Sequence, residues 1–225
     1  MAARRKRTAS PHYDPPTLRP LNASQATCLK TLDTHDQTFI IGPAGTGKTF
    51  LIACRAVDML KTGLVDKIVL TRPNVPAGRS LGFFPGSLEE KMGPWVMEFA
   101  SIWNGRASAG FTETALKNGT LEIVPFETMR GRSFDDAFII VDEAQNATLH
   151  ELMMIVTRFG ERSHLVVNGD PAQSDLRDGG GLIDIIAIAM QNRIDVGFVR
   201  FTSDDIVRSD RTKQWVKAFE REGAP

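Results

Sequence analysis

Six short runs of apolar, mostly β-prone residues punctuate the chain, at 38–41, 67–71, 121–124, 137–141, 164–167 and 196–201. Between them lie longer stretches with helical spacing. Phe50, Cys54 and Val57 recur at steps of three and four, which predicts a helix over 50–60. Further helices are expected from Leu21, capped by Asn22 or Ser24, over 111–117, 148–157 and 182–190, and after Arg208 through Phe219. Ser87 caps another that runs to Trp103, with a kink at Pro94. The run 137–141 has no polar member, the pattern of a strand buried on both faces. Strands alternating with helices predict an α/β fold: a mainly parallel sheet with helices on both faces.

Two stretches fall outside this pattern. Residues 74–86 hold three glycines and two prolines, so no regular element is expected there, and the length suits a functional loop. Residues 1–20 open with Arg4-Arg5-Lys6-Arg7 and continue with Pro11, Pro15, Pro16 and Pro20, which reads as a flexible or extended arm. The folded domain is then expected over 21–225. Charge is balanced at 27 basic and 27 acidic residues, so any basic surface for a polyanion must be local. Cys28 and Cys54 read as buried free thiols, and the four histidines lack ligand spacing. No apolar run approaches a membrane span, and no apolar segment follows the basic run. A soluble, cytoplasmic protein without a membrane partner is expected.

The chemistry concentrates at the ends of the apolar runs. Gly42-Pro43-Ala44-Gly45-Thr46-Gly47-Lys48-Thr49 follows the first run and opens a helix, the strand–loop–helix context of a phosphate-binding loop. Its glycines let successive backbone N–H groups turn inward as an anion nest, and the helix aims its positive end at the same charge. Lys48 suits the β- and γ-phosphates of ATP, and Thr49 suits Mg²⁺. The run 137–141 ends in Asp142-Glu143, where open α/β sheets place ligands. Asp142 suits the metal, directly or through water, and Glu143 suits the base that orients and deprotonates attacking water. The fifth run ends in a third polar cluster, Asn168-Gly169-Asp170-Pro171-Ala172-Gln173, in which Gln173 can bond a γ-phosphate or the water.

Other positions carry two readings each. Gln25 is either an exposed helix residue or a donor–acceptor pair matched to adenine. Phe83 and Phe84 lie near Arg72 and Arg79, which suits single-stranded nucleic acid or a loop pinned by packed rings. Arg130 and Arg132 flank Gly131 and are either phosphate contacts or solvated surface residues. The basic arm is either a solvated tail or a nucleic-acid contact.

Taken together, the segments 42–49, Thr71-Arg72-Pro73, 81–86, Met129-Arg130-Gly131-Arg132, Asp142-Glu143-Ala144-Gln145-Asn146 and 169–176 resemble the PhoH-like family, from about Leu21 to about Phe219. The resemblance implies a RecA-like P-loop NTPase core similar to the first motor domain of superfamily-one helicases. It implies that Gln25 reads adenine, that Gln173 senses the γ-phosphate and that Arg72 lies in a segment used on single strands. It also implies that Arg208 belongs to a late Val-Arg motif and serves as an arginine finger toward a neighbouring subunit. Arg79 stands where the family usually has an acidic residue, and Ser209 where a histidine is expected. The expected function is Mg²⁺-dependent ATP hydrolysis coupled to single-stranded RNA or DNA. With one motor lobe, translocation requires a homo-oligomer such as a hexameric ring. The alternative is an ATP-driven regulator or assembly factor acting on a protein without nucleic acid. A small-molecule kinase fits less well, because adjacent Asp142 and Glu143 favour water over an acceptor hydroxyl.

Overall fold

A computed structural model of the chain describes residues 16–73, 93–176 and 180–222. The expectations for Arg79, Phe83, Phe84, the helix start at Ser87 and residues 1–15 of the arm lie outside the described residues. Six strands form one sheet: β1 (Gln37–Ile41), β2 (Lys67–Thr71), β3 (Leu121–Ile123), β4 (Ala137–Val141), β5 (His164–Gly169) and β6 (Gly197–Arg200). Their order is β3-β2-β4-β5-β1-β6, and every pairing is parallel. Among the described residues, seven α-helices accompany them: α1 (Ala23–Thr34), α2 (Lys48–Thr62), α3 (Pro94–Arg106), α4 (Phe111–Lys117), α5 (Leu149–Val156), α6 (Leu182–Gln191) and α7 (Asp210–Glu222).

Side chains of a strand alternate between faces, and here both faces are dry. Ile40, Ile68, Leu70, Phe138, Ile140 and Val166 point to one side, where they meet Cys28, Leu51, Ile52, Phe99 and Trp103 from α1, α2 and α3. Phe39, Val69, Ile139, Val141, Leu165 and Val167 point to the other, where Leu152, Ile155, Leu182 and Ile185 come from α5 and α6. Arg106 of α3 bonds Asp58 of α2 through Nε–Oδ1 at 2.9 Å and Nη2–Oδ2 at 2.8 Å, a two-point contact that ties neighbouring helices. Pro94 stands at the first position of α3, where its missing N–H has no cost, and so begins the helix instead of kinking it. No helix among the described residues is long and apolar enough to cross a membrane.

The strand order positions the site. β5 lies between β1 and β4, so the C-terminal ends of β1 and β4 stand two strand spacings apart, roughly 10 Å. Both ends open on the same edge of the sheet because all strands run the same way.

Candidate active site

The loop 42–49 leaves β1 and is shaped by backbone. Gly42 and Gly47 have φ of 137° and 89°. Side chains rarely adopt either angle, and neither site has room for one. A Cβ on Gly42 would lie 2.4 Å from the Phe201 carbonyl oxygen, and one on Gly47 would lie 2.8 Å from Gln25 Nε2. Gly47 receives no side-chain cap as α2 begins, so the first N–H groups of the helix remain for an anion.

Two outside segments brace the loop, the start of α1 and the chain past β6. Gln25 is buried under it: its Nε2 donates to the Thr46 carbonyl at 2.9 Å, and its Oε1 accepts from the Leu21 N–H at 2.9 Å. Both ends of the amide are thus engaged within the chain. Asn22, the cap of α1, donates to the Asp205 carbonyl at 3.1 Å. The segment past β6 returns over the loop, where the Val207 N–H donates to the Gly45 carbonyl at 2.9 Å. Arg208 follows, and a Cβ on Gly45 would fall 2.8 Å from its Nε. The arginine therefore lies on the loop of its own chain.

Lys48 is buried, with Nζ bonding the carbonyls of Gly42 at 2.6 Å and Pro43 at 2.8 Å. Burial lowers its pKa, while Asp170, Glu143 and Asp142 act in the opposite direction. Thr49 is half-buried in the first turn of α2.

Beyond β4 the construction relies on side chains. Asp142 is 6% exposed, and its Oδ1 accepts from Asn168 Nδ2 at 2.7 Å. Burial, with Glu143 beside it, raises its pKa to about 6, which Arg72 opposes. Glu143 has φ 51° and ψ 41°, a left-handed conformation that is costly for a residue with a side chain. Its Oε2 accepts from Gln145 Nε2 at 2.5 Å, and its Oε1 lies 3.8 Å from Arg72 Nη2. Gln145 Oε1 in turn accepts from the Asp170 N–H at 3.0 Å. Gln173 is exposed at the end of the single helical turn that follows Asp170.

The sequence singled out neither Gln145 nor Asn168 for a role. Both stand inside polar clusters that it did mark. Their signal was adjacency to Asp142 and Glu143 in one case and to Asp170 in the other, but no spacing rule assigns positioning partners. Arg72 faces the turn at Glu143. Arg132 does not join it, because its Nη2 bonds Glu122 Oε2 of β3 at 2.5 Å and its guanidinium lies 4.7 Å from the centre of the Phe134 ring. Arg130 is exposed on the rim of a separate cavity.

The residues present fit a magnesium triphosphate. A glycine-shaped hollow, a buried ammonium held only by neutral carbonyls and a buried carboxyl short of positive charge lie at one sheet edge. Among the described residues, no cluster of three or more His, Cys, Asp or Glu side chains could hold a metal alone. That suits Mg²⁺, which takes one or two protein groups and completes its shell with phosphate and water.

Such a phosphate loop, set one strand away from an Asp-Glu pair on a parallel sheet, defines a P-loop NTPase domain. The chain belongs to the PhoH-like family, whose model (PhoH-like protein) matches residues 17–220. It is 38% identical over 207 residues to the PhoH-like protein of Bacillus subtilis (strain 168), covering 92% of this chain and 65% of that one. It is 38% identical over 202 residues to Protein PhoH of Escherichia coli (strain K12), covering 88% and 57%. The chain therefore spans about three fifths of the length of these relatives. A solved Pif1 helicase from Candida albicans superposes with a TM-score of 0.47 at 15% identity, over 92% of this chain and 45% of that one.

Proposed function

We propose that this domain hydrolyses ATP with Mg²⁺ and that single-stranded RNA or DNA stimulates the reaction, in a homo-oligomer. The observation that carries the reading is the order β4-β5-β1 in a parallel sheet, which brings the Lys48 loop, Asp142-Glu143 and Asp170 to the same end of three adjoining strands. Thr49 and Asp142 would hold Mg²⁺, which would supply positive charge to the triphosphate oxygens. Lys48 exchanges its loop carbonyls for phosphate. Glu143, held in its left-handed turn by Gln145 and Arg72, takes a proton from the attacking water. Gln173 stands at the mouth of the same edge, where it bonds the γ-phosphate or the water. Gln25 acts through the loop it supports and holds the peptide at Thr46 for the phosphates. We assign Arg208 to its own chain's loop, where it neutralises charge on the transferred phosphoryl group.

The test is phosphate release with and without oligonucleotides, alongside nucleotide binding. Wild type is expected to turn over faster with a single strand, and Glu143→Gln to bind ATP yet lose at least about a hundredfold in turnover. Persistent hydrolysis in Glu143→Gln removes that residue as the base. One feature favours a second reading, in which the ATPase acts on a protein. Trp215, 60% exposed, stacks on Phe219 at 5.6 Å along an exposed face of α7. Hydrolysis indifferent to every oligonucleotide selects it.

A further inference from the structure

A cavity of about 420 Å³ lies between the turn after β3 and one face of α5. Arg130, His150, Glu151, Met153, Met154 and Arg158 line it, and none belongs to the phosphate loop or the catalytic turn. Its lining residues include two arginines and a histidine against one glutamate. That carboxylate is partly engaged, since Glu151 Oε2 accepts from the Thr148 N–H at 2.8 Å and its Oγ at 2.7 Å in the cap of α5. Arg158 Nε is buried with no hydrogen-bond partner. A desolvated donor in that state favours an incoming acceptor. His150 and Met154 sit one turn apart on the helix, with Arg158 just past its end. Met153 is half-exposed beside them.

We propose that this cavity is a groove for one segment of single-stranded nucleic acid, with phosphates on Arg130 and Arg158 and a base against Met153 and Met154. This rests on the ATPase reading above and gives its polymer a place to bind. Guanidinium planes pair with phosphate at two points, and flexible thioethers adapt to a flat base. The volume lies in the range that encloses a small molecule, enough for one nucleotide unit. The groove also has a physical route to the catalytic turn. The cap of α5, Thr148, is joined to Glu143 through 144–147, and the Ala147 carbonyl holds the Gly181 N–H at 2.8 Å. A strand seated on α5 therefore presses on the element that begins where the base ends.

Anisotropy of a labelled oligouridine and a labelled oligothymidine, titrated with the intact protein across a salt series, tests the assignment. Arg130→Ala and Arg158→Ala are each expected to weaken binding about tenfold. Each should also flatten the log affinity–log salt slope by about 0.7. Arg158→Lys, which keeps the charge, controls for misfolding and should restore most of the slope. Met153→Ala should weaken binding about fivefold with the slope unchanged. Wild-type affinity in Arg130→Ala and Arg158→Ala overturns the groove but leaves the strand-stimulated ATPase standing. A wild-type protein that binds neither strand overturns both. Displacement of the oligonucleotide by free AMP from Lys48→Ala protein, at equal affinity per nucleotide, makes this a mononucleotide site and also overturns the proposal. Loss of association with a protein partner, with strand binding intact, does the same.

Discussion

The phosphate loop and the Asp142–Glu143 turn stand on the same sheet edge, one strand apart, and they are built by different means. The loop is backbone. Its curvature comes from glycines at 42, 45 and 47, and its braces from Gln25, Val207 and Arg208 press on carbonyls and on space that a side chain would fill. The turn is side chain. Asp142 and Glu143 gain their positions from Gln145, two residues on in the same turn, and from Asn168 and Arg72, which arrive from two other parts of the chain. Backbone shape survives the loss of a single side chain, because many peptide groups share it. A side-chain relay does not, because each link is made once.

This contrast makes Arg208 the first place to press. It is the one side chain laid on the loop whose proposed work is on the reacting group, so Arg208→Ala should keep ATP binding and lose about a thousandfold in kcat. Mixing Arg208→Ala with Lys48→Ala protein separates the two geometries. An arginine acting within its own chain gives no recovery of turnover at any ratio. Recovery in the mixture moves Arg208 to a neighbouring subunit, as the family resemblance implied, and weakens the account of the loop as a self-contained cradle.

The relay on the other side makes a smaller demand. Gln145 holds the Glu143 carboxylate with one end of its amide and the Asp170 N–H with the other. Gln145→Ala should lower kcat about tenfold to a hundredfold, since the base keeps its chemistry and loses only its placement. ATP affinity should stay within about twofold, because no loop brace is touched. A variant that loses affinity and turnover equally would show that the turn and the loop are one structure, and the contrast above would fail.

Legibility followed the same division. The loop could be read residue by residue because its physics is contiguous, and Lys48, Thr49 and the three glycines stand where the spacing puts them. The six strands and the parallel sheet were equally plain, since unbroken apolar runs such as Ala137–Val141 permit little else. Asp142 and Glu143 were legible as a pair, but their supports were not. Asn168 is 26 residues from Asp142 in sequence and bonded to it in space. Only the strand order, with β5 beside β4, joins them. Arg208 shows a different gap: its sequence is compatible with either subunit, and the return of the chain over Gly45 sets its position. Pro94 could begin or bend a helix, and what decides between these is the non-helical backbone of Gly93, which stands as the cap.

The smallest expected effect concerns charge and needs no ligand. The Asp142 carboxyl has a folded-state pKa of about 6, raised first by burial and then by Glu143. The unfolded chain holds the ordinary value of about 3.9. The folded state therefore binds this proton more tightly, and the contribution favours folding below about pH 4, fades as pH rises and is gone above about pH 6. Above that pH, the protein free of nucleotide holds an ionised carboxyl in a site that resists it. Asp142→Asn keeps an oxygen for the Asn168 bond and removes the charge. It should be more stable than wild type by about 1–3 kcal/mol near pH 8, with the gap closing toward pH 4. Urea denaturation at the two pH values measures it. A gap that does not change with pH means the carboxyl is already compensated. Saturating Mg²⁺–ATP should reverse the order at about pH 8, because only wild type has the carboxylate to be neutralised. Lys48 is the loop's counterpart, a buried cation whose pKa burial lowers, the opposite shift to that of Asp142. It rests on carbonyls of its own loop, whereas Asp142 relies on a side chain from the next strand.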